Sequence, residues 1–224
     1  MQLSIIIPVL NESARIGQCL SQLQGFREAG HEIIVVDGGS EDDSQKAAQD
    51  LCDKWLISER GRARQMNAGA KVASGETLLF LHADTILPED ALEQLTRFHA
   101  SDALWGRFDI RLSGSRVLYR LIGWLINWRS RLTGICTGDQ AQFVRRQTFE
   151  SLGGFPDIPL MEDVALSASL KKQARPYCIP SKVITDSRRW EKHGPWRTVF
   201  LMWHLRFDYW RGVAPEVLVE RYYE

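Results

Sequence analysis

Short apolar runs alternate with segments of helical periodicity along the first third of the chain. Runs rich in β-branched, aromatic or leucine residues predict strands at Leu3–Val9, Ile33–Val36, Trp55–Ile57 and Thr77–Leu81. Helical spacing predicts helices at Asn11–Leu23, from a Ser40-x-x-Asp43 capping box onward, and at Ala63–Ala73. Strands alternating with helices in this way indicate an α/β protein with a doubly wound, mostly parallel sheet and helices on both faces.

Polar residues follow the predicted strands at the points where the strands end. The segments concerned are Pro8–Glu12, Asp37–Ser40 and His82–Thr85. Because the carboxyl ends of parallel strands meet at one edge of a sheet, we expect these segments to share a ligand cleft. Purely structural interpretations remain open, since Asp84 could cap the following helix and Asp37–Ser40 could be a tight glycine turn.

The composition limits the classes of function. A chain of 224 residues is expected to form one domain, and its 28 basic and 28 acidic side chains leave no net field that would attract nucleic acid. The four cysteines are scattered, and no basic segment precedes the first apolar run. We therefore expect a cytoplasmic protein with reduced cysteines, no secretory signal and no membrane span.

Two arginines begin the third predicted helix. Arg62 and Arg64 lie where the N-terminus of a helix ordinarily carries acidic residues. Their position indicates that an anion lies nearby, most simply a phosphate, although an ordinary cationic helix start is the alternative interpretation.

Four segments together resemble a known enzyme family. They are Ser4–Glu12, Val35–Ser40, Gly61–Gly69 and Leu81–Thr85. In order and spacing they are similar to the family 2 glycosyltransferases with a GT-A fold, and most similar to the bacterial arsenosugar-biosynthesis-type subgroup. The resemblance implies a single GT-A domain over residues 1–224, with a nucleotide-sugar-binding half at 1–110, an acceptor and catalytic half at 111–194, and an amphipathic helix and tail at 195–224.

The resemblance implies a nucleotide site at the strand ends. Its residues would be Pro8, Asn11, Glu12, Asp37, Gly38, Arg64, Asn67, His82 and Ala83. A carboxylate needs a hydrogen-bond donor as its partner, so Asp37 would accept a hydrogen bond from the imide of a uracil base. The expected donor is therefore a UDP-sugar.

The resemblance also implies a divalent cation. Asp84 matches the second acid of the D-x-D motif and would bind Mn²⁺ or Mg²⁺ that bridges the diphosphate oxygens. The chain departs from the motif because His82 occupies the first acidic position, which puts the affinity for the metal and the choice of metal in question. His193 could complete the metal's ligands, or it could make an ordinary hydrogen bond.

An acidic pair, Glu162 and Asp163, begins a later helical pattern and matches the position of the catalytic base in the family. The resemblance implies that Asp163 is the general base and Glu162 a supporting acceptor-site residue, while two acids that complement a helix dipole are the structural alternative. Contacts with the acceptor or with phosphate are expected from Asp139, Gln140, Arg188, Arg189 and Trp190. A single base opposite the leaving group implies inversion at the anomeric carbon.

Two stretches repeat apolar residues at helical spacing among arginines. They are Val117, Leu121, Leu125, Trp128 and Leu132, and, near the C-terminus, Trp196, Val199 or Phe200, Trp203, Phe207 and Trp210. We expect these side chains to pack against the sheet. The alternative is peripheral contact with the inner face of a membrane, where the enzyme would meet a lipid-linked acceptor.

Two other functions share parts of this pattern. A noncatalytic nucleotide-sugar-binding module would keep Asp37 and Asp84 but would not need the acid at Asp163. A nucleotidyltransferase normally has a glycine- and arginine-rich loop after its first strand, and here that loop is Pro8–Glu12, without glycine. The favoured function is metal-dependent, inverting transfer of a sugar to a hydroxyl acceptor, which requires Asp84 and Asp163 to share one pocket.

Overall fold

The structure, a computed structural model, describes residues 2–223 and, among these, every side chain except those of Arg189 and Tyr223. Its strands are β1 Leu3–Val9, β2 Glu32–Asp37, β3 Lys54–Ile57, β4 Thr77–Phe80, β5 Thr85–Ile86, β6 Trp105–Leu112, β7 Phe143–Arg145 and β8 Tyr177–Thr185. Its helices are α1 Ser13–Gln22, α2 Gln24–Glu28, α3 Ser44–Ala48, α4 Arg62–Val72, α5 Ala91–His99, α6 Val117–Thr133, α7 Arg146–Ser151, α8 Glu162–Gln173, α9 Arg188–His193, α10 Pro195–Trp210 and α11 Pro215–Tyr223. A 3₁₀ turn at Gly138–Gln140 precedes β7.

The strands form one sheet in the order β3-β2-β1-β4-β7-β6-β8-β5. β1 runs parallel to β2 and β4, and β2 runs parallel to β3, so the carboxyl ends of four strands lie at one edge. β7 lies antiparallel between β4 and β6, and β8 runs parallel to β6. The α/β class and the four strands predicted from apolar runs are confirmed.

The central strand β1 is buried on both of its faces. Ile5 and Ile7 belong to a core cluster with α1, whereas Ile6 belongs to a second cluster with Met66 of α4. Helices therefore cover both faces of the sheet, as parallel strands require. α4 lies so close to the sheet that a Cβ on Gly69 would be 2.5 Å from Cγ2 of Ile6. A larger residue at position 69 would displace the helix that carries Arg62.

The capping box predicted at Ser40 and Asp43 does not form. α3 begins at Ser44, with Asp43 as an N-cap residue that makes no capping hydrogen bond with its side chain. The hydroxyl of Ser40 instead donates to Asp37 at 2.6 Å. The physical reason is that this hydroxyl accepts from the N–H of Asn11 at 2.9 Å, so the loop after β1, rather than an N–H at the start of a helix, uses it as an acceptor.

The apolar repeats of α6 and α10 face outward, so the expectation that they pack against the sheet is wrong. Trp124 is 54% exposed and Trp210 is 80% exposed. The exposed side chains are Val117, Leu121, Trp124, Leu125, Trp128 and Leu132 on α6, and Trp196, Phe200, Trp203, Phe207 and Trp210 on α10. None of the helices in the described part of the chain is long and apolar enough to cross a bilayer.

The packed face of α6 contains small and polar residues, which explains the error. Tyr119, Ile122, Gly123 and Asn127 are among its buried residues. The amide of Asn127 donates to the carbonyl oxygen of Ile110 at 3.0 Å and accepts from its N–H at 2.8 Å. Because this amide attaches the helix to β6, the more apolar stripe is left on the opposite side.

Candidate functional site

Hydrogen bonds join the loops after β1 and β2 at the carboxyl edge of the sheet. The backbone N–H and the hydroxyl of Ser40 donate to Oδ1 of Asp37 at 2.9 and 2.6 Å. The same hydroxyl accepts from the N–H of Asn11 at 2.9 Å, and Asn11 adopts a φ of 56°. Oδ2 of the buried Asp37 accepts no hydrogen bond from the described residues. One carboxylate oxygen is therefore left for a ligand.

Gln65, which the sequence analysis did not single out, holds the ends of β1 and β2 together. Its Nε2 donates to the carbonyl oxygens of Val9 and Val36 at 2.7 and 2.8 Å. A Cβ on Gly38 would lie 3.0 Å from Cδ of Gln65, so glycine leaves room for this amide. The available signal was the position of Gln65 within the Gly61–Gly69 segment, whose helix faces the strand ends.

A cavity of about 780 Å³ holds most of the predicted catalytic residues. Its carboxyl groups are Asp84, Asp139, Glu162, Asp163 and Asp186. Apolar side chains of α6 and α10 also line it. The loop after β4 and the first turn of α8 thus bring Asp84 and Asp163 to the same pocket, as the favoured function requires.

Asp163 is held by two backbone N–H groups. Its Oδ2 accepts from Gly138 at 2.6 Å and its Oδ1 accepts from Val164 at 2.7 Å. The residue before the acidic pair, Met161, has a φ of 69°. A left-handed conformation of this kind costs a non-glycine residue roughly 1–3 kcal/mol and tends to occur at functional sites. The start of α8 is therefore held in a strained geometry that presents Asp163 to the cavity.

The ring of His82 packs against the same glycine. A Cβ on Gly138 would lie 2.6 Å from Nε2 of His82. Burial lowers the pKa of His82, and the charge of Arg62 lowers it further, so the imidazole is neutral near pH 7. Its Nε2 is buried and has no hydrogen-bond partner among the described residues. Gly138 thus connects the loop after β4 with Asp163.

Glu162 is the buried member of the acidic pair. Its carboxylate lies 3.3 Å from Nη1 of Arg62, and its side chain is only 2% exposed. Burial raises the pKa of Glu162 to about 7, and the charge of Asp163 raises it while Arg62 opposes the rise. Near neutral pH this carboxyl group is therefore present in both protonation states. Arg62, predicted to lie near an anion but not assigned to the site, lines the cavity.

Replacing Glu162 with glutamine is expected to change how stability depends on pH. An acid whose pKa rises on folding from 4.5 to about 7 contributes stability that is complete below pH 4.5 and is lost as the pH rises through about 7. The Glu162→Gln variant lacks this loss. Its melting temperature, measured by thermal denaturation, should rise relative to the parent between about pH 5 and about pH 8. Glu150→Gln, at an exposed position of α7, is the matched control, and a constant difference across this range would contradict the prediction.

Two residues predicted to lie beside the nucleotide bind other parts of the protein. The amide of Asn67 donates to the carbonyl oxygen of Phe155 at 2.8 Å and accepts from its N–H at 2.9 Å. Arg64 is exposed and pairs with Glu59 and Asp157 at 2.7 and 2.8 Å. Neither residue lines the cavity. Their contacts attach α4 to the segment before α8, which positions the acidic pair.

Asn11, Asp37 and Gly38, described above, do not line this cavity, and five other predicted residues also lie outside its lining. Pro8 is part of β1, and Glu12 forms an ion pair with the first turn of α1 at 3.2 Å. Ala83 is buried beside Asp84. Gln140 is fully buried and takes part in a capping box at its own turn, so its amide has a structural partner. His193 lies at the exposed end of α9 and does not line the cavity that contains Asp84.

The segment around α9 reaches the cavity through two of its residues. Trp190 and Asp186 line the cavity. Arg188 does not, but its Nε lies 2.7 Å from Asp186, which also lies 3.6 Å from Arg15 of α1. The side chain of Arg189 lies outside the described residues. The predicted loop therefore contributes an aromatic ring and a paired carboxylate to the site.

Two arginines that the sequence analysis did not assign lie in the cavity. They are Arg129 of α6 and Arg206 of α10. Nε and Nη2 of Arg129 are buried and have no hydrogen-bond partner among the described residues. Burial lowers the pKa of Arg129 to about 10, and the charge of Arg206 contributes to the decrease. The sequence signal was their position within the two amphipathic stretches.

The carboxylates do not form a complete metal site. Among the described residues, no group of three or more His, Cys, Asp or Glu side chains could hold a metal ion. Asp84 lines the cavity and has one long contact, 3.4 Å from the hydroxyl of Thr85, so its oxygens are available. This arrangement fits a cation such as Mg²⁺, which commonly takes one or two protein carboxylates and completes its shell with substrate phosphates and water.

Two sequence comparisons match most of the chain. The family model described as Glycosyl transferase family 2 matches residues 4–148. A PGL/p-HBAD biosynthesis glycosyltransferase of Mycobacterium bovis is 32% identical over 169 residues, which cover 68% of this chain and 62% of the relative. The chain therefore spans less than two thirds of the length of that curated relative. Neither comparison bears on the arsenosugar-type subgroup or on a cytoplasmic location, which both stay predictions.

Solved structures match over a similar extent. The mannosyltransferase PcManGT from Pyrobaculum calidifontis, in complex with GDP-Man and Mn²⁺, aligns with a TM-score of 0.63 at 22% identity, over 81% of this chain and 56% of that one. TarS of S. aureus, in complex with UDP-GlcNAc, aligns with a TM-score of 0.65 at 17% identity, over 83% and 58%. These likenesses confirm the GT-A fold that was expected from the sequence.

Proposed function

The chain belongs to glycosyl transferase family 2, and on that premise we propose that it transfers a sugar from a nucleoside diphosphate to a hydroxyl acceptor. The observation that carries the proposal is that Asp84 and Asp163 line one cavity. The transfer needs one carboxylate to bind the divalent cation that neutralises the departing diphosphate. It needs a second carboxylate to take the proton of the acceptor hydroxyl. The sugar nucleotides bound to the matched GT-A structures support this class of donor.

The nucleoside would bind at the loops after β1 and β2. Asp37 offers Oδ2 as an acceptor while Ser40 fixes Oδ1. The imide N–H of uracil is a suitable donor for a single carboxylate oxygen, which favours UDP. Asn11 supports this geometry, because its left-handed backbone and its hydrogen bond to Ser40 bring the two loops together.

Asp84 would hold the divalent cation together with the diphosphate oxygens. When bound, Mn²⁺ or Mg²⁺ would neutralise the charge that develops on the departing diphosphate. Asp84 would supply a protein carboxylate to this arrangement. His82 would contribute a neutral ring in the position where the family motif carries its first acid.

Asp163 would act as the general base in a single displacement. The acceptor oxygen forms its bond to the anomeric carbon as the bond from that carbon to the diphosphate oxygen breaks, and the acceptor proton moves to the carboxylate of Asp163. The diphosphate leaves with the bonding electron pair, and the anomeric configuration inverts. Gly138 and Val164 hold the carboxylate in place through their N–H groups, so little reorganisation is needed.

A panel of UDP-, GDP- and dTDP-sugars, each with and without Mn²⁺, tests the proposed donor. UDP-sugars with Mn²⁺ should raise the melting temperature most, by about 5–10 °C at a concentration about a hundredfold above Kd. Release of free nucleoside diphosphate from the best donor, in the presence of added hydroxyl compounds, then measures turnover.

Two results of this panel would contradict the proposal. Absence of stabilisation by every sugar nucleotide would argue against a sugar-nucleotide enzyme. Stabilisation by GDP-sugars alone would contradict the uracil assignment at Asp37. Adenosine diphosphate with Mn²⁺ is the control ligand, because it carries the same diphosphate but no uracil imide.

A further inference from the structure

The cavity opens to solvent between α6 and α10, through a rim that we call the α6–α10 mouth. Its side chains both line the cavity and are exposed: Trp124, Leu125, Trp128 and Leu132 of α6, and Trp203 of α10. Large apolar surfaces that are exposed in this way mark a binding site for another molecule. Since Asp163 lines the same cavity as these side chains, an occupant of the mouth shares a cavity with the proposed base.

The charged side chains on the α6 side of the mouth are all basic, and one of them, Arg131, is paired with Asp109 at 2.8 Å. α6 carries Arg120, Arg129 and Arg131 and no acidic residue, and Arg116 immediately precedes it. The chain as a whole has no net charge, so the positive charge is a local feature. Two copies of the chain that met through α6 would bring arginines together, whereas an anionic partner would neutralise them.

The inner end of the mouth carries the buried arginines. Nε and Nη2 of Arg129 have no hydrogen-bond partner among the described residues, and Arg206 lies near enough to lower its pKa. Asp139 and Asp163 are the acids whose charges act on both arginines. Nε and Nη2 of a guanidinium lie on one edge and bind two oxygens of a phosphate or carboxylate side by side.

Two of the remaining carboxyl groups in the cavity are already paired. Asp186 pairs with Arg188, and Glu162 pairs with Arg62. The negative charges of Asp139 and Asp163 are balanced by the positive charges of Arg129 and Arg206. The fifth carboxyl group, Asp84, is left unpaired, and the proposed cation at Asp84 would offset its charge. Arg129 keeps guanidinium donors without acceptors among the described residues, so it can bind an anion.

We propose that the acceptor is an anionic membrane lipid that carries its accepting hydroxyl close to a phosphate. The hydroxyl lies at Asp163, the phosphate at Arg129 and Arg206, and the apolar chains in the α6–α10 mouth. The inference rests on the proposed function, because it uses Asp163 as the base. The volume of about 780 Å³ is ample for a headgroup of this kind, and tryptophan and arginine are the side chains that favour a lipid interface.

Isothermal titration calorimetry without any donor tests the inference independently of turnover. Dihexanoyl phosphatidylglycerol, below its critical micelle concentration, has the hydroxyl, the phosphate and the apolar chains. Dihexanoyl phosphatidylcholine lacks both the net charge and the headgroup hydroxyl, and glycerophosphate lacks the chains. We expect the first lipid to bind about tenfold more tightly than either of the others.

Three substitutions identify the groups involved. Arg129→Gln and Arg206→Gln should each weaken binding of the short-chain phosphatidylglycerol about tenfold, and Arg129→Lys should retain more binding than Arg129→Gln. Arg120→Gln is the matched control, because Arg120 is exposed on the same helix and does not line the cavity. The affinity for UDP with Mn²⁺ should be the same in all four variants.

Several outcomes would overturn the inference. Equal binding of the two lipids would show that neither the net charge nor the headgroup hydroxyl contributes to binding, and equal binding of glycerophosphate would show that the acyl chains do not contribute. A parallel loss of UDP affinity in Arg129→Gln would assign that arginine to the donor. If Arg129→Gln does not fold, Arg206→Gln and Trp203→Ala carry the same test, since both should weaken lipid binding.

Two further measurements test whether the lipid is bound from a membrane and whether a second copy of the chain occupies the mouth instead. The protein should cosediment with phosphatidylglycerol vesicles and not with phosphatidylcholine vesicles, and failure to do so would overturn the membrane source. Sedimentation velocity should show a monomer, whereas a stable dimer that phosphatidylglycerol does not dissociate would assign the mouth to a second copy. Donor stabilisation in the sugar-nucleotide panel reports on the proposed function separately, so the two failures are distinguishable.

Discussion

Replacing Asp163 with asparagine is expected to lower the rate of sugar transfer by about a hundredfold to ten-thousandfold and to leave donor binding intact. This range is typical of the loss of a positioned general base. Asparagine keeps one oxygen that can accept a hydrogen bond from Gly138 or Val164, so the start of α8 should keep most of its structure. Turnover is measured by release of free UDP, and donor affinity by calorimetry with UDP and Mn²⁺.

The matched controls for this variant are Asp102→Asn, at an exposed loop position, and Glu162→Gln. Asp102→Asn should behave as the parent does. Glu162→Gln should lose less activity than Asp163→Asn, because Glu162 is paired with Arg62 and held inside. If Glu162→Gln lost the activity and Asp163→Asn kept it, the base would be Glu162. Absence of turnover in the parent, with donor binding intact, would favour a noncatalytic nucleotide-sugar-binding module.

Replacing Asp84 with asparagine is expected to remove the effect of Mn²⁺ on donor binding and to lower turnover by about a hundredfold or more. Asp84 is the carboxylate assigned to the cation, and stabilisation of a leaving group by a metal ion is worth several kcal/mol. Calorimetry should show that UDP binds the parent more tightly with Mn²⁺ than with a chelator. In Asp84→Asn the two affinities should be equal.

Asp102→Asn serves again as the control and should retain the full response to Mn²⁺. Because His82 occupies the first position of the motif, no acid at that position can replace Asp84 as a ligand. An undiminished response to Mn²⁺ in Asp84→Asn would show that the cation binds elsewhere. A loss of UDP binding in the chelated state would instead mean that Asp84 contributes directly to nucleotide binding.

The sequence predicted the first half of the fold because local signals and tertiary structure agree there. β1, β2 and β4 are buried on both faces, so each reads as a continuous apolar run with a clear end. Neither the positions of strands β5 to β8 nor their order in the sheet could be predicted from such runs. β7 has three residues and β5 has two, and their neighbours in the sheet are fixed by long-range pairing rather than by local pattern.

The faces of α6 and α10 could not be inferred from periodicity alone. The apolar stripe of α6 is a correct description of its amphipathic character, but Asn127 and Gly123 decide which face packs, through hydrogen bonds and close approach. A helix that serves a binding site exposes the face that a purely structural helix would bury. The exposed tryptophans are therefore informative because they contradict the expected burial.

Sequence motifs predicted which carboxylates line the cavity better than they predicted which arginines do. Asp84, Glu162 and Asp163 follow recognisable motifs, and all three line the cavity. Arg129 and Arg206 belong to no motif, and their role depends on two helices that are far apart in sequence. Asn67 shows the converse, because it lies in a predicted motif and yet binds the backbone of the protein itself.

The main chain at Gly138 lies between the ring of His82, in the loop after β4, and the carboxylate of Asp163 at the start of α8. Since this glycine also donates to Asp163, the backbone of a single residue lies in the gap between the loop that would hold the cation and the carboxylate proposed as the base. Such a gap is set by van der Waals repulsion, so changes of ionic strength leave it unaltered. Even one methyl group at position 138 would meet the ring of His82 at 2.6 Å and force this gap to widen.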